Sequence, residues 1–141
     1  MRVFVDTNIF VYLFDAEEPA KQQRAREIVS ELMSTSALVL SSQVLSELYV
    51  TVTRKLASPL EPASALRALA DLAVYPVVAI DAALVQRAAA RAVAEQVAYW
   101  DALILEAAVE AGAGAVYSED LQHGRTTPAT PATAFPRDTS R

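Results

Sequence analysis

Four short apolar runs recur along the chain, each separated from the next by a longer helical pattern, and this alternation limits the fold more than any other feature. "RVFV" (2–5), "ALVLS" (37–41), "PVVAID" (76–81) and "AVYS" (115–118) each have the length of a buried strand. Between them lie amphipathic stretches. "TNIFVYLFD" predicts a short helix or turn. Residues 18–35 predict a helix with Ala25, Ile28, Val29, Leu32 and Met33 on one stripe. Residues 41–55 place Val44, Leu45, Leu48 and Val52 at helical spacing, with a basic end suited to a helix C-terminus. A Pro/Ser connector at 58–64 leads into an Ala/Leu helix running to about Val74. Asp81 can cap the helix "AALVQRAAARAVAEQ". The last helix, "AYWDALILEAAVEAG", closes at Gly112. Strands alternating with helices predict an α/β domain of three layers, α/β/α, with a mainly parallel sheet of four to five strands. Ligands of such sheets sit at the carboxyl ends of the strands.

The chain's 141 residues suit one domain, and a hydrophobic fraction of 53% can fill its core. No apolar run approaches the ~20 residues that span a bilayer. An acid interrupts the N-terminal apolar run where a signal peptide would continue. The expectation is a cytoplasmic protein without membrane contact. There is no cysteine, which excludes disulfides, Cys-ligated zinc and thiol catalysis. The net charge is −5; Arg125, Arg137 and Arg141 against Asp138 give the tail +2 and leave −7 on the first 120 residues. Such a body does not bind nucleic acid by bulk charge. An enzyme that neutralises its own acids with divalent metal is compatible with it.

Four acids stand out by position. Asp6 ends the first strand and Asp120 lies just past the fourth. Asp101 is in the first turn of a helix that otherwise reads as core, where the helix dipole favours an anion. Glu47 sits among Val44, Leu45, Leu48 and Val50 on the helix after the second strand. Each has an ordinary explanation alone: a cap, a first-turn acid, a solvent-facing residue, a turn residue. Together they could converge on one rim, where carboxylates either raise their pKa values or hold a hard cation. Oxygen donors without cysteine point to magnesium or manganese. Thr7, Asn8 and Ser118 offer neutral hydrogen bonds beside them. Glu119 competes with Asp120 for the fourth place, but period-two alternation points the two to opposite sides. Tyr12, Tyr49, Tyr99 and Trp100 suit core or a dimer contact, or base stacking. His123 reads as a surface loop residue. Arg54, Lys55 and, nearer the acidic rim, Arg125 are candidates for phosphate contact.

"VFVDTNIFVY", "SSQVLSELYVTVTRK", "YWDALILEAA" and "YSEDLQHG" resemble, in order, the acidic motifs of PIN-domain ribonucleases, above all the VapC-type toxins of toxin–antitoxin pairs. The resemblance covers about residues 1–124 and implies a PIN-like nuclease domain over that range. It implies a magnesium-dependent endoribonuclease that attacks RNA phosphodiesters with metal-activated water. Asp6 and Asp101 would be the principal metal ligands, completed by Glu47 and Asp120, with Asn8 and Ser118 at the family's neutral positions. It also implies a VapB-like antitoxin partner and a homodimer.

Residues 125–141, "RTTPATPATAFPRDTSR", depart from the family pattern, which ends in a short apolar strand. Their prolines and small residues predict an extended or disordered tail. Two other acidic α/β pockets fit less well. A phospho-acceptor receiver needs a lysine after a late strand, and only Lys21 and Lys55 exist. A haloacid-dehalogenase-like phosphatase needs an acid where Asn8 stands. A PIN-like module kept for RNA binding or regulation, without catalysis, is the remaining alternative.

Overall fold

A computed structural model describes residues 1–119. Its elements follow in the order β1 (Arg2–Val5), α1 (Thr7–Tyr12), α2 (Pro19–Ser34), β2 (Leu38–Ser41), α3 (Ser42–Arg54), α4 (Pro62–Leu72), β3 (Val77–Val78), α5 (Ala82–Glu95), α6 (Tyr99–Glu110) and β4 (Ala113–Tyr117). The four strands form one sheet in the order β3-β2-β1-β4, and every neighbouring pair is parallel. Both faces of the sheet are covered by helices, so β2 is buried at all four positions and β1 at all but its first. The predicted three-layer α/β/α class is the one observed.

The stripes read from the sequence face inward. Ala25, Ile28, Val29 and Leu32 of α2 and Val44, Leu48 and Val52 of α3 are buried, while Met33 and Leu45 pack at the core's margin. Phe4, Phe10, Ile9, Leu38, Leu40, Leu48 and Leu84 are its largest completely enclosed side chains. Burial of each is worth about 1.5–3 kcal/mol. Asp81 caps α5 as expected, accepting from the Leu84 amide at 2.9 Å. Gly112 takes the left-handed conformation, φ 69°, just past the end of α6.

The third strand is shorter than predicted: of residues 76–81, only Val77 and Val78 pair with β2. Pro76 has no amide hydrogen to donate, although its carbonyl accepts from the Leu40 amide. At the other end, Ile80 turns to donate to Ser42 Oγ and Asp81 leaves to cap α5. Residues 120–141, including the expected tail, Asp120, His123 and Arg125, lie outside the described residues. No described helix is long and apolar enough to cross a membrane.

Chain direction places the site. From β1 the chain steps through β2 to β3 on one side, then returns to place β4 on the other side of β1. The junction between β1 and β4 is therefore the point where strand order reverses, and crevices for ligands open at the carboxyl ends there. α1 starts one residue after β1, and α3 starts directly after β2. α6 leads into β4 through a two-residue turn, so its first residues lie at the opposite end, beside the same carboxyl rim. The N-termini of α1, α3 and α6 and the carboxyl ends of β1, β2 and β4 thus lie along one edge of the sheet.

Candidate active site

Asp6 lies at the centre of this edge and is only 6% exposed. Burying a carboxylate is costly unless both oxygens find donors. Here both do. Oδ1 accepts from the Thr7 amide at 2.7 Å, capping α1, and Oδ2 accepts from Ser118 Oγ at 2.6 Å. Ser118 is itself buried and follows β4 directly. The Asp6 amide donates to the Tyr117 carbonyl at 3.0 Å, which ties the two strand ends together by main chain as well. Charge-assisted bonds of this kind fix the carboxylate's orientation.

Glu47 is drawn to the same place through Thr7. Thr7 Oγ1 donates to Glu47 Oε2 at 2.8 Å, and Gln43 Nε2 donates to Oε1 at 3.0 Å. The buried hydroxyl of Thr7 therefore stands between the two acids: its amide serves Asp6 and its side chain serves Glu47. Thr7, Asn8, Ser46, Glu47, Val50, Thr51 and Lys55 line an open groove of about 430 Å³ between α1 and α3. Asp101 is half-buried in the first turn of α6, as the sequence indicated. Of the four expected acids, Asp6 and Glu47 are joined through Thr7, Asp101 stands in the first turn of α6, whose start lies at the same end of the sheet, and Asp120 lies outside the described residues. Among the described residues, no three acidic or histidine side chains form a group able to hold a metal ion by themselves. The donor set is nonetheless suited to a hard divalent cation. It is all oxygen, and Asp6 is oriented by hydroxyl and amide donors, Ser118 Oγ and the Thr7 amide.

Glu119 belongs to a different cluster. It forms an ion pair with Lys21 at 3.1 Å and accepts a hydrogen bond from the Tyr12 hydroxyl. Lys21 also donates to Tyr12 Oη at 3.3 Å. Burial and the adjacent Glu119 carboxylate push the Tyr12 hydroxyl up to about 12. Burial works against the Lys21 charge, but hydrogen bonds to Glu119 and Tyr12 outweigh it and hold the ammonium above the ordinary lysine range. The cluster joins the end of α1, the start of α2 and the residue after Ser118. Sequence reading gave Tyr12 no such role, because its partners are 9 and 107 residues away.

Gln43 was also missed. A carboxylate only accepts, so the Gln43 amide must present its nitrogen to Glu47. Its Oε1 is then buried and finds no donor among the described residues. An unpaired buried acceptor costs about 1–3 kcal/mol. Gln43 also lines a second cleft with Ser42, Ser46, Ile80, Tyr99, Trp100 and Leu103.

An all-parallel sheet covered by helices, with Asp6 and Glu47 linked through Thr7 at the carboxyl ends of its strands, defines an α/β domain of the open-sheet class. The PIN domain family model matches residues 3–127, and the chain belongs to that family. No curated relative matches the sequence. Among solved structures, the fold is similar to VapC20 of Mycobacterium tuberculosis, a Sarcin-Ricin loop cleaving toxin. The TM-score is 0.65 at 22% identity, covering 84% of this chain and 89% of that one. It is also similar to a chain of VapBC2 from Rickettsia felis, bound to a DNA fragment from its promoter. There the TM-score is 0.57 at 20% identity, covering 85% of this chain and 88% of that one.

Proposed function

We propose that this chain is a magnesium-dependent endoribonuclease acting as the VapC-type toxin of a toxin–antitoxin pair. The observation that carries this reading is the hydrogen-bonded run Ser118–Asp6–Thr7–Glu47 at the strand-order reversal, in a chain of the PIN family. In this reading Asp6 and Asp101 hold the cation, Mg²⁺ or Mn²⁺, and Glu47 and Asp120 complete the acidic set. When bound, the cation supplies a water of lowered pKa and screens the phosphodiester's charge. Ser118 and the Thr7 amide hold Asp6 in place, the Thr7 hydroxyl does the same for Glu47, and Asn8 borders the groove beside them. Arg125 is assigned to a substrate phosphate.

The partners follow from the same reading. VapC20 is a Sarcin-Ricin loop cleaving toxin, and VapBC2 was captured bound to a DNA fragment from its promoter. A VapB-like antitoxin that covers the acidic rim, a homodimer of the chain and a cytoplasmic setting complete the proposal. Its test is cleavage of structured RNA with magnesium, with EDTA, and with Asp101→Asn and Asp6→Asn. Cleavage that depends on magnesium and disappears in both variants is expected. Cleavage surviving both substitutions would reject the site. Folded, RNA-binding protein without cleavage would favour a non-catalytic module.

A further inference from the structure

The cleft beside Gln43 is separate from the groove that holds Glu47, yet the two meet. Ser46 lines both, so they run side by side over the N-terminal half of α3. The second cleft has a volume of about 250 Å³, below the ~300–1,000 Å³ of pockets for drug-sized ligands. One wall is Trp100, which is 63% exposed. Its ring stands edge-on to Tyr99 at 5.2 Å and 66°, which braces the indole and leaves it open to solvent. Ser42, Gln43 and Ser46 also line the cleft. Trp100 directly precedes Asp101 in sequence, and Gln43 is bonded to Glu47. A ligand seated here is therefore one step from the acids.

An exposed, braced indole in a cleft that also carries hydroxyl and amide side chains suits a flat ring with polar groups at its edge. Lys55, in the adjoining groove, can meet a phosphate on the same strand. We propose that this cleft is a binding site for a single unstacked nucleobase of the RNA, stacked on Trp100, its polar edge toward the Ser42, Gln43 and Ser46 side chains, with the sugar-phosphate chain crossing Ser46 toward Lys55. The proposal rests on the nuclease reading for its substrate class. It assigns Trp100 and Gln43 to recognition rather than to the reaction.

Trp100 is the chain's only tryptophan, so its emission reports on this cleft alone. The experiment is a titration of the full chain in EDTA at low salt with a labelled ten-nucleotide poly(A) RNA. Binding is followed by the label's anisotropy and by Trp100 fluorescence together. Quenching of Trp100 in step with binding is expected. Trp100→Ala should weaken binding roughly 5- to 150-fold, and Trp100→Phe should restore most of it. Binding without a change in Trp100 emission, or no binding at all, would overturn the base cleft. So would an indole already shielded from acrylamide in the RNA-free protein, because a second copy of the chain would then occupy it. Quenching without magnesium-dependent cleavage would leave the cleft standing and sink the nuclease reading. Cleavage with an unresponsive Trp100 would do the reverse.

Discussion

Ser118 Oγ donates to Asp6 Oδ2 at 2.6 Å, joining residues 112 positions apart in sequence across the ends of two neighbouring parallel strands. The bond closes the rim between β1 and β4 and fixes the Asp6 carboxylate inside the fold.

Replacing Ser118 with Ala should therefore act twice. A hydrogen bond to a charged, buried acceptor is worth about 1.5–3 kcal/mol, and urea unfolding should show a loss in that range. With Asp6 in its proposed role as a cation ligand, cleavage should fall about 10- to 100-fold, the usual effect of removing the partner of such a ligand. A variant of unchanged stability would mean that water takes over the bond.

Glu47→Gln tests whether Glu47 acts through its charge. The substitution keeps the shape that Thr7 Oγ1 and Gln43 surround. Magnesium titration of the cleavage rate should show half-saturation shifted upward by about 10-fold or more. An unchanged titration with an unchanged rate would remove Glu47 from the cation's surroundings.

The Tyr12–Lys21–Glu119 cluster makes stability sensitive to alkali. The Tyr12 pKa rises from 10.0 unfolded to about 12 folded, so the folded state favours the protonated phenol. That contribution is complete below pH 10 and is lost as pH climbs toward 12. Lys21, raised in the same direction, loses its contribution over the high-pH range too. Thermal melting between pH 8 and 11 should show a steeper alkaline decline in the wild type than in Tyr12→Phe. Parallel curves would contradict the cluster's linkage.

Two arginines on α5 should differ sharply. Arg91 is 14% exposed and pairs with both Glu95 and Glu106, whereas Arg87 is 47% exposed and pairs at 3.7 Å with Glu106 and Glu110. Arg87→Ala should cost about 0–1 kcal/mol, as exposed pairs do. Arg91→Met leaves Glu106, itself 15% exposed, short of a partner and should cost more, approaching the ~3–5 kcal/mol seen on breaking buried pairs. Equal losses in chemical denaturation would show that burial does not separate them.

Much of this architecture could be read from residues alone. Strand and helix periods differ, so β1, β2, β4 and the stripes of α2 and α3 were visible in their apolar spacing. The acids at 6, 47 and 101 were legible because a charge inside an apolar run is conspicuous. β3 was overestimated, since Pro76 and the cap at Asp81 compete with a valine pair for the same six residues. Thr7 and Ser118 could be named as supports, but which acid each would serve depends on how β1 meets β4. The Lys21–Glu119 pair and the orphan oxygen of Gln43 left no local trace. Their partners come from other elements, and no period connects them.

The strand order has a consequence for how the rim opens. Among the described residues, β1 is flanked on both sides, by β2 and β4, while β4 has a neighbouring strand on one side only. Local opening starts where fewest neighbours must separate, so amides of β1 should be among the last in the domain to exchange with deuterium, and those of β4 earlier. Asp6 is thus mounted on the part of the molecule that persists through partial unfolding. Ser118 hangs from a part that can detach while Asp6 keeps its place. Release of the β4 edge would strip one hydrogen bond from the carboxylate before the core gives way, and the acidic rim would lose its shape while most of the domain is still folded.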